Sequence, residues 1–221
     1  MRTFSVLLAK ELRIEARSRE MITGGLLLTL LVLVLAQFAW RDIAPARDVV
    51  PGVLWIAVAF AGTLSLSRSL HRERDRGTWE ALALLPVDRG TIFLAKTVAN
   101  WLVLLVVLAF ATPLLALLFD VDLWTPLPAL ALVFALGAAG FSASGTLLAA
   151  STSHARSREV LLPILLFPLL VPLLMMTMQA TQRALAGAGV LDIAGELELL
   201  LAFDTIFLAI GWLAFDHLLG E

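Results

Sequence analysis

The sequence has no cysteine, no tyrosine and only three histidines in 221 residues. Without cysteine there are no disulfides, thiolate zinc sites, iron–sulfur clusters, CxxC redox pairs or CxxCH haem attachment. Without tyrosine no phenol can act as acid or base. Charge is scarce too. Only 15% of residues are Asp, Glu, Lys or Arg, where a soluble domain carries about 25%. The 16 basic and 18 acidic residues leave a net charge of −2, so no basic excess points to nucleic acid. No polar stretch is long enough to fold as a separate soluble domain. What remains is apolar: 60% of residues are hydrophobic, and the mean hydropathy is +0.94. A water-soluble fold would have to expose too much of that surface. The chain reads as an all-α integral membrane protein, one transmembrane domain over 1–221.

Crossing roughly 30 Å of hydrocarbon takes about 20 apolar residues. Six segments qualify: Met21–Trp40, Pro51–Ser67, Thr97–Leu118, Pro128–Ala150, Val160–Met178 and Leu199–Leu219. A signal-peptide reading of the first fails, because Glu11, Glu15 and Glu20 would stand in its n-region and its apolar run is too long. The sixteen Lys and Arg divide thirteen to three. Arg2, Lys10, Arg13, Arg17, Arg19, Arg68, Arg72, Arg74, Arg76, Arg89, Lys96, Arg156 and Arg158 fall on one side, and Arg41, Arg47 and Arg183 on the other. The positive-inside rule makes the first side cytoplasmic and places both termini there.

Ahead of the first span, residues 1–20 place Phe4, Leu7, Leu8 and Leu12 on one stripe, with Arg2, Lys10, Arg13 and Arg17 mostly off it. That pattern predicts an amphipathic lead helix at the membrane surface. Between the second and third spans, mixed charge ends at Asp75 and Gly77 breaks the chain. Thr78 is a candidate N-cap and Glu80 suits the first turn. Trp79, Leu82 and Leu85 follow at helical spacing until Pro86 stops the helix. Such a helix has nothing of its own to bury against, and reads either as a docking element for a partner or as a helix on the headgroups. Gly90 to Thr97 is a near-miss to a phosphate-binding GxxxxGK[ST] loop, with Ala95 where glycine is required. Nucleotide binding is not expected there.

The fourth span holds Gly137, Gly140, Ser142, Ser144 and Gly145, small residues that let helices approach inside the subunit or across a homodimer. The fifth holds Pro163, Pro168 and Pro172, which predict a bent helix beside a moving interface. Met175, Met176 and Met178 end that span towards the outer face, and Asp204 lies about five residues into the sixth, shallow enough to reach water.

These pieces, in order, resemble the CcmB family, the haem exporter protein B of bacterial cytochrome c maturation. The resemblance is carried by Leu8 to Arg13, Pro51 to Ala57, Arg76 to Pro86, Leu94 to Lys96 with Asn100 and Trp101, and the Pro-rich Leu162 to Pro172. It implies a non-catalytic membrane subunit of an ABC-type complex with an ABC-2 (type V exporter-like) fold, in the bacterial inner membrane. Residues 75–86 would be the coupling helix, docking a CcmA-like cytoplasmic ATPase through Asp75, Gly77, Thr78, Trp79, Glu80, Leu82, Leu85 and Pro86. Further implied partners are a CcmC-like haem-handling subunit, a small CcmD-like subunit and, through the complex, a CcmE-like periplasmic haem chaperone. ATP would bind the ATPase, and haem would be met only through the complex. Short helices are implied in Gln179–Glu198. On the residues themselves, outward iron ligands would have to come from Met175, Met176, Met178 or Asp204, which favours a mechanical role over haem ligation by this chain. The competing reading is an ABC-2-type permease for a lipid, polysaccharide or drug.

Overall fold

The computed structural model describes residues 2–18, 20–40, 43–75, 88–152 and 158–218. These form seven helices, with no strand among the described residues: α1 (Arg2–Ser18), α2 (Glu20–Trp40), α3 (Ala46–Asp75), α4 (Arg89–Phe119), α5 (Leu127–Ser151), α6 (Arg158–Leu185) and α7 (Ala194–Leu218). Six carry windows long and apolar enough to cross a membrane: Ile22–Trp40, Ala46–Ser67, Arg89–Phe119, Leu127–Ser151, Val160–Leu185 and Ala194–Phe215. The six spans alternate in direction. One end of the bundle therefore carries α1 and the α3–α4 and α5–α6 connections, and the opposite end carries the other three turns.

Helix α5 is the hub. It packs against α3, α4, α6 and α7, and its small residues explain how one helix touches four. A side chain added at Gly137 would strike the Trp55 ring of α3 and come within 2.7 Å of Thr177 Cγ2 of α6. Gly145 faces Leu66, and Phe141 in turn occupies the notch at Gly62 of α3. In lipid, where apolar burial gives little drive for helix association, such close approach is what holds spans together. Trp55 is only 1% exposed and meets Phe134 edge-on, with ring centroids 6.2 Å apart. Its indole N–H donates to Thr181 Oγ1 at 3.0 Å, and that hydroxyl donates on to the Thr177 carbonyl at 2.7 Å. Two further polar links tie α4 to the hub: Asn100 Nδ2 donates to Thr146 Oγ1 at 3.0 Å, and Trp101 Nε1 donates to the Ala135 carbonyl at 2.9 Å.

The last two spans are longer at the opposite end than the hydropathy suggests. Helix α6 does not stop at Met178 but runs to Leu185, and α7 starts at Ala194 rather than Leu199. Separate short helices in Gln179–Glu198 are therefore replaced by extensions of the two spans and a tight turn. The reason is local pairing of the polar residues there. Arg183 and Glu196 form an ion pair at 2.5 Å across the hairpin, and Thr181 bonds back to its own helix. The turn closes at Gly187, whose φ of +94° is the left-handed conformation that ends many helices. The Ala188 N–H donates to the Arg183 carbonyl beside it.

Candidate functional site at the lead-helix end

Helix α1 does not simply float on the bilayer surface. Leu7 is 8% exposed and closes a cluster with Ile92, Phe93 and Ala95 of α4, Leu147 and Ala150 of α5, and Phe215 of α7. Beneath it, α4 and α7 interlock reciprocally. Phe93 fills the notch at Gly211 and stacks obliquely on Phe215 with centroids 5.5 Å apart, and Trp212 fills the notch at Gly90. Of the stripe expected of α1, Phe4 and Leu7 lie against protein, while Leu8 and Leu12 are half-buried.

The inward face of α1 continues from Phe4 and Leu7 to two carboxylates at helical spacing, Glu11 and Glu15. Glu15 is 5% exposed, and its Oε1 accepts the backbone N–H of Ile22 at 3.1 Å. Ile22 is in the first turn of α2, whose N–H groups have no partner within their own helix, so Glu15 caps the next helix and complements its dipole. Glu11 Oε1 lies 3.5 Å from Lys96 Nζ of α4 and 3.2 Å from Lys10 Nζ. Lys96 is only 8% exposed, and a buried ammonium requires such an anion. Burial alone would raise the Glu11 carboxyl, but the ammonium groups of Lys96 and Lys10 outweigh it and hold the carboxyl below its ordinary value of 4.5.

A lowered folded-state pKa means that Glu11 stabilises the docked helix above the ordinary carboxylate range, and that this contribution is lost as pH falls below about 4.5. Among the described residues, the titratable groups facing it are Lys96 and Lys10. Asp122, exposed in the α4–α5 turn, is also held below its ordinary value, by the Thr125 hydroxyl and the Trp124 and Thr125 N–H groups. Thermal unfolding between pH 6 and pH 3 should therefore show a loss of stability that is smaller in Glu11→Gln. An identical pH profile for the variant would remove Glu11 from this account.

The Lys96 environment also disposes of the phosphate-loop likeness. Gly90 to Thr97 is helical throughout, so no loop of N–H groups is available to wrap a phosphate. Of the docking residues expected between α3 and α4, Asp75 is the last residue of α3. Gly77, Thr78, Trp79, Glu80, Leu82, Leu85 and Pro86 lie outside the described residues. Their downstream flank is well defined: Asp88 caps α4, accepting the Thr91 N–H at 3.2 Å and the Thr91 hydroxyl at 3.0 Å.

The remaining candidates do not converge on one place. Helix α6 is continuous through all three prolines. Its buried ridge runs through Leu162, Leu166, Leu170 and Leu173, while Pro163 is half-buried and Pro168 and Pro172 are exposed. The prolines thus mark the side of α6 facing away from the bundle. Met175 is 55% exposed, whereas Met176 and Met178 pack against the main core. Because α6 runs on to Leu185, none of the three methionines stands at its end.

Asp204 is deeper than expected. With α7 starting at Ala194, it lies ten residues in, roughly 15 Å at 1.5 Å per residue, near mid-span. It is 4% exposed and seated against Gly140, where an added Cβ would come 2.5 Å from Oδ1 and 2.9 Å from Leu173. That oxygen has no hydrogen-bond partner among the described residues. Between α4 and α5 a cleft of about 350 Å³ is lined by Leu105, Thr112, Pro113, Trp124, Ala131 and Phe134 among others. Its single hydroxyl, Thr112, already donates to the Leu108 carbonyl at 2.8 Å, which leaves a largely apolar lining. Among the described residues no three His, Cys, Asp or Glu gather as a metal site.

The sequence reading missed Glu11, Glu15 and Lys96 as partners. The signal was available: both glutamates continue the spacing of Phe4 and Leu7, and a carboxylate on an apolar stripe implies a donor opposite.

The chain matches the CcmB protein family over residues 2–220. Among its relatives, the Heme exporter protein B of Bradyrhizobium diazoefficiens is 27% identical over 212 residues, covering 96% of this chain and 94% of the relative. That of Pseudomonas aeruginosa is 29% identical over 211 residues, covering 94% and 92%. That of Rhodobacter capsulatus is 30% identical over 191 residues, covering 83% and 84%. The match extends through all seven helices, from the lead helix with its inward carboxylates to the extended last span, and on that ground the chain belongs to the CcmB family.

Proposed function

We propose that this chain is the membrane subunit of an ABC-type complex for c-type cytochrome biogenesis. It couples ATP hydrolysis on a CcmA-like partner either to haem export or to release of a haem-loaded CcmE-like chaperone. The observation that carries this reading is the family match over nearly the whole chain, with relatives named Heme exporter protein B covered almost end to end. The charge distribution supports a cytoplasmic location for the α1 end and both termini, in the bacterial inner membrane. The chain acts as a non-catalytic subunit, with ATP hydrolysed on the partner ATPase and haem met through the complex. CcmC-like and CcmD-like membrane subunits complete the assembly.

The segment 75–86 docks the ATPase. It joins α3, the helix that carries Trp55 against the hub, to α4, the helix that α1 grips. Replacing Glu80 and Leu82 together, by Lys and Ala, should abolish co-purification of the ATPase while membrane insertion is unchanged. Undiminished co-purification would move docking elsewhere. Pro163, Pro168 and Pro172 make α6 a deformable helix at the outer wall of the bundle, and Asp204 sits where α5 and α7 must slide if the bundle moves. Met175, Met176 and Met178 serve as adaptable packing surface.

The reading is tested by haem-stained gels of membranes from a strain lacking this chain, followed for c-type cytochromes and the haem chaperone together. Mature cytochromes should be lost, with haem-loaded chaperone retained in a membrane complex. Unchanged staining would leave an ABC-2-type permease for another substrate as the better reading.

A further inference from the structure

We infer that the Glu11–Lys96 ion pair is a transmission latch: it makes the lead helix α1 move with α4, so that displacement of α4 is passed through α1 to the start of α2. This rests on the proposed function in one respect only, that the force enters through the segment preceding α4.

The latch follows from three contacts and the helix that joins two of them. Asp88 caps α4 through Thr91, so whatever pulls on the chain before α4 pulls on a closed helix end and does not simply unwind it. Lys96, in the third turn of α4 and 8% exposed, reaches Glu11 of α1 at 3.5 Å. Glu11 and Glu15 lie four residues apart on the same face of α1, so what holds one positions the other. Glu15 then accepts the Ile22 N–H of α2 at 3.1 Å. Apolar contact alone is a poor substitute for this chain of polar links. Leu7 adds only apolar packing against the cluster it shares with α4, and the apolar surface of an undocked α1 could settle equally well into lipid. Charge cannot. Separating Glu11 from Lys96 would leave a buried ammonium without this partner, and breaking one side of a buried pair is costly. Lys96 and Glu11 are therefore positioning residues, acting through the helices they join.

The absence of cysteine allows a single reporter. Ile92→Cys lies on α4, the helix that α1 packs against, in the cluster that Leu7 closes, and is 2% exposed as isoleucine. In the full-length chain in vesicles, its reaction with a polar maleimide should speed up about tenfold in Glu11→Gln and in Lys96→Met, and return to near the parent rate in Glu11→Lys with Lys96→Glu. Lys96→Arg, which keeps the charge, should stay near the parent. Parent-like labelling in both single variants would overturn the latch, as would singles that react fast with no recovery in the exchange. Cytochrome maturation is then scored in cells carrying the same set. The singles should mature several-fold less cytochrome and the exchange should recover it. Fast labelling in the singles with full maturation would overturn transmission. If deletion of the whole chain leaves cytochromes intact, the proposed function fails, while the labelling result still decides whether the pair fastens α1.

Discussion

Gly137→Ala should be among the most damaging single-methyl additions in this chain, because the added carbon has nowhere to go. It would strike the Trp55 ring and approach Thr177 Cγ2 at 2.7 Å. Trp55 is almost fully enclosed, and its indole N–H is committed to Thr181. Overpacking of this kind costs about 1–3 kcal/mol, and pushing the indole off Thr181 adds about 0.6–1.7 kcal/mol for a hydrogen bond within a membrane. The expected total is ~2–5 kcal/mol, measurable as a lowered midpoint of reversible unfolding in mixed micelles. A specific remedy follows from the geometry. The ring atoms nearest Gly137 are the distal ones of the indole, which phenylalanine lacks. Trp55→Phe in the Gly137→Ala background should therefore recover at least half of the lost stability, although Trp55→Phe alone is destabilising. Simple additivity of the two substitutions would show that α3 and α5 are not locked together at this contact.

The second large effect is at Asp204, where stability and activity should move in opposite directions. The carboxyl is enclosed near mid-span, with one oxygen lacking a partner among the described residues. A buried polar group left unsatisfied costs about 1–3 kcal/mol, and an apolar side chain of similar size escapes that cost. Asp204→Val should raise the unfolding midpoint by an amount in that range. If the carboxyl serves the motion of α7 against α5, the same variant should mature several-fold less c-type cytochrome at equal protein level, the trade expected when an acid is retained in a span for use. A stabilised variant with full activity would reduce Asp204 to a tolerated defect. Gly140→Ala is the complementary probe. Its Cβ would crowd Oδ1 at 2.5 Å. It should be destabilising in the parent, and milder in the Asp204→Val background only if the carboxyl itself is what it strikes.

The six spans were legible because hydrocarbon admits almost nothing but helix, and helix only from runs of about 20 apolar residues. That constraint acts on each segment separately, so it is written in local composition. The lead helix was legible for the same kind of reason, through the spacing of Phe4, Leu7 and Leu8. Span ends were less so at the α6–α7 hairpin. There Arg183 and Glu196 look like the polar limits of two spans until they are seen to neutralise each other across the turn.

Family membership was also carried by sequence alone, in the order of its motifs. The tertiary structure decided which residues are partners. Lys96 reads as the tail of a defective phosphate loop until α1 brings Glu11 against it across 85 positions of chain. Asp204 reads as a shallow acid until an earlier start for α7 carries it to mid-span opposite Gly140. The small residues of α5 read as a general packing stripe, and only the assembled bundle assigns Gly137 to Trp55 and Gly145 to Leu66. Local composition sets what each helix can be; the pairing of charges and notches between helices depends on register and rotation, which no single segment encodes.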